Sequence, residues 1–273
     1  MIEALRPESP VPCETTAPAP RQARPVKLEI SRLNVVFPNE GHPIHVLQDI
    51  DLSLCEGEFV CILGPSGCGK STLLNVVGGF LPPTSGRVLI DGQPVVGPDP
   101  RRIFVFQERG LFPWLTTEEN IGFGLDRLPA AERRERVEHY VEMVGLGGFE
   151  HAFPHELSGG MKQRVEVARA LAMNPDMLYL DEPFGALDSI TRLTLRRELL
   201  RIWEVERKTI LFVTHDIEES VQLADRIVVM SQRPAVVRRE LVMDLPHPRD
   251  LSSPRYLQMR DSIFEEIGLA HRI

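Results

Sequence analysis

The first hundred residues carry the alternation of hydrophobic and polar positions that is typical of β-strands. The alternation is strict over 26–30 and looser over 46–54, while 58–63 is apolar enough for a fully buried strand. A fourth apolar run at 88–90 precedes Asp91-Gly92, a pair typical of a hairpin turn. These patterns predict a β-rich region around one strand that runs into a glycine-rich loop.

Helical spacing replaces this alternation in the middle of the chain. Between 130 and 146 the apolar side chains recur at helical intervals, and arginines and glutamates occupy the other face. The apolar positions are Val137, Tyr140, Val141 and Val144. This stretch predicts a small helical insert over about 107–156.

Strand-like and helix-like segments alternate after the insert. The strand-like runs are 177–180, 209–213 and 227–230, and the amphipathic stretches are 159–173 and 190–207. This order predicts an α/β fold in which helices cover the faces of a parallel sheet.

The two ends of the chain differ from the region between them. Residues 1–25 hold six prolines without apolar periodicity, which predicts a disordered lead-in. We expect one domain over 26–245 and a tail over 246–273 that ends in a short helical pattern.

Charge, apolar run length and cysteine spacing argue against several classes of protein. The 273 residues have a formal charge of −8, which argues against nucleic acid as a partner bound by a strongly basic surface. The apolar run at 59–63 is far shorter than the roughly 20 residues of a membrane helix. The four cysteines lack CxxC spacing, which favours a cytosolic protein with reduced thiols.

The clearest motif is the glycine-rich sequence GPSGCGKST at 64–72, which fits G-x-x-x-x-G-K-[ST] between a strand and a helix. Its backbone N–H groups can converge on phosphate oxygens because glycines leave room for the approach. We expect Lys70 to reach the β- and γ-phosphates and Ser71 to ligate Mg²⁺. The predicted ATP-binding residues are Gly64, Pro65, Ser66, Gly67, Cys68, Gly69, Lys70, Ser71 and Thr72. The alternative is a turn that only caps a helix, but Lys70 is one of just four lysines in the chain.

Two carboxylates end the apolar run that begins at 177. Asp181 is placed to hold the Mg²⁺ shell, because ligands bind at the carboxyl ends of parallel strands. Glu182 points differently and can polarise a water in line with the γ-phosphorus. The alternative is an acidic turn that caps a helix.

A second glycine-rich helix start lies at Ser158-Gly159-Gly160. Ser158 is a good N-cap, and a helix start without acidic residues in its first turn can bind phosphate. Since one nucleotide cannot easily meet two such helix ends of one chain, a dimer is the economical arrangement.

The motifs taken together resemble the ATP-binding subunits of ABC transporters over about 27–245. The matching segments are the glycine loop, Gln107, LSGGMKQR at 157–164, YLDEP at 179–183, GALD at 185–188 and His215 in FVTHD. The resemblance implies a P-loop NTPase (RecA-like) core with an antiparallel β-subdomain and a small helical subdomain. It also implies a head-to-tail homodimer that holds two ATP molecules between glycine loop and opposing signature.

The resemblance implies a role for each matching residue. Glu182 would be the general base, His215 would hold the γ-phosphate, and Phe37 would stack on adenine. The implied Mg²⁺ ligands are Ser71, Gln107 and Asp181, with Gln107 also on the attacking water. The implied contacts across the dimer are Ser158, Gly159, Gly160, Gln163 and Asp188. Three alternatives remain open: Phe37 as a buried strand-edge side chain, His215 as a structural histidine, and Asp188 as an N-cap.

The sequences of two segments, FQERGLFPWLT and FGALDSITR, look most like those of the nitrate, sulfonate and taurine importer branch. Phe112 and Trp114 would then line a groove for a membrane permease, or alternatively pack under the helical insert. This branch implies a peripheral protein on the cytoplasmic face of the membrane and, indirectly, a solute-binding protein. The competing classes are a soluble ABC ATPase outside transport and a non-hydrolysing regulatory cassette.

Overall fold

The computed structural model describes residues 24–39, 41–106, 110–185 and 189–267, apart from the side chain of Thr191. The strands are β1 (Val26–Phe37), β2 (Ile44–Cys55), β3 (Phe59–Leu63), β4 (Ser85–Ile90), β5 (Gln93–Pro94), β6 (Arg102–Val105), β7 (Met177–Asp181), β8 (Thr209–Thr214), β9 (Arg226–Met230) and β10 (Val237–Val242). The helices are α1 (Lys70–Val77), α2 (Thr117–Ile121), α3 (Ala130–Met143), α4 (Gly159–Ala172), α5 (Ser189–Glu206), α6 (Ile217–Leu223) and α7 (Pro254–Glu266), with a 3-10 turn at Pro154–Glu156.

Two sheets organise the described residues. The first is antiparallel, in the order β2-β1-β4-β5, and the second has the order β10-β9-β3-β8-β7-β6. In the second sheet β9, β3, β8, β7 and β6 run parallel, and β10 joins the edge antiparallel to β9. The predicted α/β class and the antiparallel β-subdomain are confirmed.

Central strand β3 shows how the core is divided. All five of its residues are buried, and successive side chains point to opposite faces of the sheet. Phe59, Cys61 and Leu63 pack among the helices, whereas Val60 and Ile62 pack towards α1 and the antiparallel sheet. The parallel sheet is therefore covered on both faces, as an α/β domain requires.

Strand β1 is longer than the alternation over 26–30 predicts. Its register with β2 shifts between Ile30 and Leu33, and Arg32 has a positive φ of 45°. Because this irregularity changes the phase, the buried positions run Leu28, Ile30 and then Leu33, Val35. The simple period-two pattern therefore ends before the strand does.

Strand β10 and helix α6 are among the elements that the pattern did not predict. Strand β10 has two exposed arginines and no fully buried residue, so its apolar signal is weak. Helix α6 has seven residues, too few to establish a helical period.

The tail forms helix α7, capped by the Ser253 hydroxyl. Tyr256, Met259 and Ile263 are its buried residues, and Tyr256 donates a hydrogen bond to Glu218 of α6. In the described part of the chain no helix is long and apolar enough to cross a membrane.

The described cysteines meet the expectation of reduced thiols only in part. Cys61 and Cys68 are free and buried. Cys55 is disulfide-bonded, so the expectation is wrong for that residue.

Candidate active site

The glycine loop lies between the end of β3 and the start of α1, as its motif predicts. Gly69 has a φ of +124°, and a Cβ there would lie 2.8 Å from Val46 Cγ1. The loop conformation therefore requires glycine at this position. Gly64, Cys68 and Lys70 are buried, Pro65, Gly69 and Thr72 half-buried, and Ser66, Gly67 and Ser71 exposed.

Lys70 places its charge inside the loop. Its Nζ donates hydrogen bonds to the carbonyls of Gly64 at 2.9 Å and Pro65 at 3.1 Å. The same atom lies 3.7 Å from Glu182 Oε1, and the side chain is 4% exposed. A cation held at this point is available to an anion that enters the loop.

Asp181 ends β7 beside the loop. Burial raises the pKa of Asp181, while a hydrogen bond from Ser71 lowers it in part. Its Oδ1 is buried without a hydrogen-bond partner among the described residues. A hydroxyl and an unsatisfied carboxylate oxygen suit Mg²⁺, which prefers oxygen ligands and is usually bound through one or two carboxylates plus phosphates. Within the described residues no group of three or more His, Cys, Asp or Glu side chains is arranged to hold a metal.

Glu182 and His215 meet at the ends of neighbouring strands β7 and β8. His215 Nδ1 lies 3.0 Å from Glu182 Oε2, and the Glu182 backbone N–H donates to Val213 at 2.9 Å. Glu182 has a φ of +46°, a conformation that side chains other than glycine seldom adopt. Strain of this kind concentrates at functional sites.

Phe37 ends β1, opposite Ile44 of β2. Its side chain is half-buried and packs against the cluster below the antiparallel sheet. Part of the ring surface therefore remains open, as stacking on a base would need, and the predicted role stays a prediction.

The second glycine-rich helix start stands apart from this cluster. Ser158 is the N-cap of α4 and accepts a hydrogen bond from the Met161 N–H at 3.3 Å. Among the described residues, neither Ser158 nor the two glycines after it bonds to Lys70, Asp181, Glu182 or His215. Gln163 is 5% exposed and its Nε2 has no partner in the described part, so its side chain offers little surface to a ligand.

Two of the predicted residues, Gln107 and Asp188, lie outside the described residues. Their roles on Mg²⁺, the attacking water and the opposing subunit stay predictions.

Sequence reasoning missed one cation beside the loop. Arg233 follows β9, and its Nη2 lies 3.5 Å from the point that a Cβ on Gly67 would occupy. The turn is fixed by a hydrogen bond from the Ala235 N–H to the Val46 carbonyl at 2.9 Å. Arg233 belongs to none of the motifs. The parallel pairing of β9 with β3 and the contact of its turn with β2 together bring it to the loop.

An apolar surface lies near the helical insert, at Phe112, Trp114 and Phe123. Phe112 and Phe123 pack with ring centroids 4.3 Å apart, while Trp114 is 70% exposed. Phe112 also borders a cavity of about 290 Å³ shared with Phe104 and Met173. Phe112 thus packs beside the insert, as one alternative holds, whereas Trp114 packs on Phe112 with ring centroids 5.6 Å apart and stays mostly exposed.

Comparison with known proteins identifies the family. Residues 47–185, half of the chain, match the ABC transporter family. The chain belongs to this family. The resemblance drawn from the motifs is therefore confirmed, and like the ATP-binding proteins of its family this ABC protein is an ATPase.

Its relatives include named importers. The nitrate import ATP-binding protein NrtD of Synechococcus elongatus is 48% identical over 233 residues, covering 82% of this chain and 85% of that protein. The aliphatic sulfonates import ATP-binding protein SsuB of Bacillus cereus is 43% identical over 239 residues, covering 88% and 95%.

Solved ABC cassettes share the fold. The dimeric ATP-binding cassette MJ0796, in a post-hydrolysis state with ADP and Pi, has a TM-score of 0.69 and 35% identity, covering 79% of this chain and 98% of that one. The P-loop NTPase class predicted for this ABC protein is thereby confirmed.

Proposed function

We propose that this ABC ATPase energises an importer for nitrate, a sulfonate such as taurine, or a similar small solute. It would act as an ATP-sandwich homodimer bound to a membrane permease. The observation that carries the proposal is the position of Glu182, 3.7 Å from Lys70 and 3.0 Å from His215 beside the glycine loop.

Each of these three side chains has a task in hydrolysis. Lys70 neutralises the oxygens of the β- and γ-phosphates, and His215 orients the attacking water and holds the γ-phosphate. Glu182 accepts a proton as the water oxygen bonds to the γ-phosphorus. The bond from that phosphorus to the β–γ bridging oxygen breaks, and ADP leaves with its electron pair.

Ser71 and Asp181, with Gln107, would hold Mg²⁺. The ion supplies charge neutralisation on the phosphate oxygens when it is bound. The buried, unpartnered Oδ1 of Asp181 supports this assignment.

The dimer follows from the separation of the two glycine-rich surfaces. Ser158 and the two glycines after it would cap the ATP held by the other subunit, together with Asp188. The lack of contact between Ser158 and the Lys70 cluster within the described part of one chain supports this arrangement. The dimeric cassette that shares 35% identity supports it independently.

The permease would dock on the surface around Trp114. The Trp114 ring packs on Phe112 with ring centroids 5.6 Å apart, yet 70% of the side chain stays exposed. Such exposure of an aromatic ring is costly, and aromatic anchors dominate protein interfaces. A protein that works there lies on the cytoplasmic face of the membrane and is served indirectly by a solute-binding protein. The importer relatives for nitrate and sulfonates support the solute class.

The proposal is tested by detergent pull-down of the permease and its solute-binding protein with this chain as bait. The recovered complex is then assayed in liposomes for ATP hydrolysis with nitrate and with taurine. We expect one solute to stimulate turnover. A tagged chain that hydrolyses ATP but recovers no membrane protein would favour the soluble non-transport class.

A non-hydrolysing regulatory cassette is the other competing class. The retention of Lys70, Glu182 and His215 in one cluster speaks against it. Measured ATP turnover by the purified chain decides between the two.

A further inference from the structure

We propose that Arg196 is a positioning residue for hydrolysis, because it fixes the turn that carries His215 and so the contact of His215 with Glu182. The inference rests on the proposed function, in which His215 acts on the γ-phosphate and the attacking water. Arg196 lies on α5, belongs to none of the motifs, and is 5% exposed.

The side chain of His215 is poorly held by its own surroundings. It is 51% exposed, and its one described hydrogen bond is the one to Glu182. The direction of the imidazole therefore depends on the backbone turn between β8 and α6.

The residues on both sides of His215 form one closed hydrogen-bond network. Thr214 Oγ1 donates to Glu219 Oε2 at 2.6 Å and accepts from the Asp216 N–H at 3.0 Å. Asp216 in turn caps α6 by accepting from the Glu219 N–H at 3.2 Å. The turn is thus defined by two carboxylates, those of Asp216 and Glu219.

Arg196 is the cation that both carboxylates share. Its Nη2 lies 3.0 Å from Asp216 Oδ2 and 2.9 Å from Glu219 Oε1, and Nη1 donates to Gln222 at 3.4 Å. Arg192 Nη1 also lies 3.4 Å from Asp216 Oδ2, so Asp216 would keep a cation if the Arg196 guanidinium were removed. Glu219 is 3% exposed and would lose the cation that pairs with it in the described structure, and such a buried carboxylate rearranges to reach water. The turn would then carry His215 away from Glu182.

The test compares three variants of the full chain: Arg196→Met, Arg196→Lys and the control Arg197→Met on the exposed neighbouring position. We expect Arg196→Met to lower kcat by about 10- to 100-fold, the scale of a misplaced catalytic group, with the KM for ATP nearly unchanged. Arg196→Lys should recover part of kcat, because an ammonium can reach both carboxylates but not Gln222. Arg197→Met should match the wild type.

Action through His215 is checked by combining variants. In a His215→Ala background, Arg196→Met should cause little further loss of kcat, because the effects of substitutions at residues that act as a unit do not add. Thermal melting and equilibrium ATP binding are measured for each variant. If Arg196→Met does not fold, Arg196→Lys and Glu219→Gln are tested in its place. Each should lower kcat by a larger factor than it lowers the affinity for ATP.

Two results would overturn the inference: a folded Arg196→Met with the kcat of Arg197→Met, or a full additional loss in the His215→Ala background. Failure of the proposed function is a different result. In that case His215→Ala itself keeps wild-type turnover.

Discussion

Lys70 and Glu182 face each other across 3.7 Å, with His215 on the other oxygen of the same carboxylate. In this arrangement the charge of Lys70 is balanced by Glu182 and by two loop carbonyls. A γ-phosphate that entered the loop would compete with Glu182 for Lys70. Binding would then release the carboxylate to accept the proton of the attacking water.

Lys70→Ala should weaken nucleotide binding and lower ATP turnover by at least about 100-fold, the scale for removing one preorganised charge. Turnover and equilibrium binding of ATP are measured together, with Lys208→Ala on the surface as the matched control. Unchanged turnover in folded Lys70→Ala would remove this residue from the mechanism.

Asp181→Asn should stabilise the nucleotide-free protein. It should also abolish the extra stabilisation that Mg²⁺ gives to the ATP-bound protein. Burial raises the pKa of Asp181, so its ionised form opposes folding at any pH above the ordinary carboxyl range. At pH 7 the neutral amide should raise the melting temperature by about 2–4 °C, and this gain should disappear as the pH falls below that range. ATP should stabilise the variant equally with and without Mg²⁺.

Asp99→Asn is a suitable contrast for that experiment. Hydrogen bonds from Arg101 hold the pKa of Asp99 well below its usual range, so its charge does not oppose folding. A rise in melting temperature for both variants alike would contradict the burial explanation for Asp181.

Trp114→Ala should uncouple ATP hydrolysis from the permease and leave the basal ATP hydrolysis of this chain unchanged. Loss of a central aromatic anchor weakens an interface by at least about tenfold, which pull-down and solute-stimulated turnover would detect. Trp114 is a cleaner choice than Phe112, because Phe112 packs on Phe123 and also lines the cavity beside Met173. Val96→Ala, at a residue that is 97% exposed, is the control. Full solute-stimulated turnover in Trp114→Ala would place the docking surface elsewhere.

Arg233→Ala should weaken ATP binding by about threefold to tenfold, as expected for an exposed cation near phosphates. The difference from wild type should shrink at high salt, because exposed charges are screened. Arg238→Ala in the following strand is the matched control. Equal ATP affinity for the two variants at low salt would show that Arg233 does not contact the nucleotide.

Local patterns predicted those parts of the protein that depend on neighbouring residues in the chain. The apolar run of β3 and the glycines at 64–69 specify a buried strand and a phosphate loop through their own backbone requirements. Asp181 and Glu182 lie at the carboxyl end of β7, a position that the apolar run before them predicts. Their roles stay predictions.

Contacts between distant segments could not be predicted in this way. Arg233 reaches the loop because β9 pairs with β3 and the turn after β9 bonds to β2. Arg196 reaches Asp216 because α5 packs beside α6. The shift in β1 at Arg32 likewise depends on pairing with β2. The roles of Gln107 and Asp188 stay predictions from the resemblance.

The ATP-sandwich dimer with Glu182 as the general base is tested most directly by Glu182→Gln in size-exclusion chromatography with light scattering. An amide cannot accept the proton of the attacking water, so bound ATP should persist and hold two subunits together. We expect a dimer with ATP and Mg²⁺ and a monomer with ADP. A Glu182→Gln chain that binds ATP and Mg²⁺ but stays monomeric, or that hydrolyses ATP at the wild-type rate, would contradict the account.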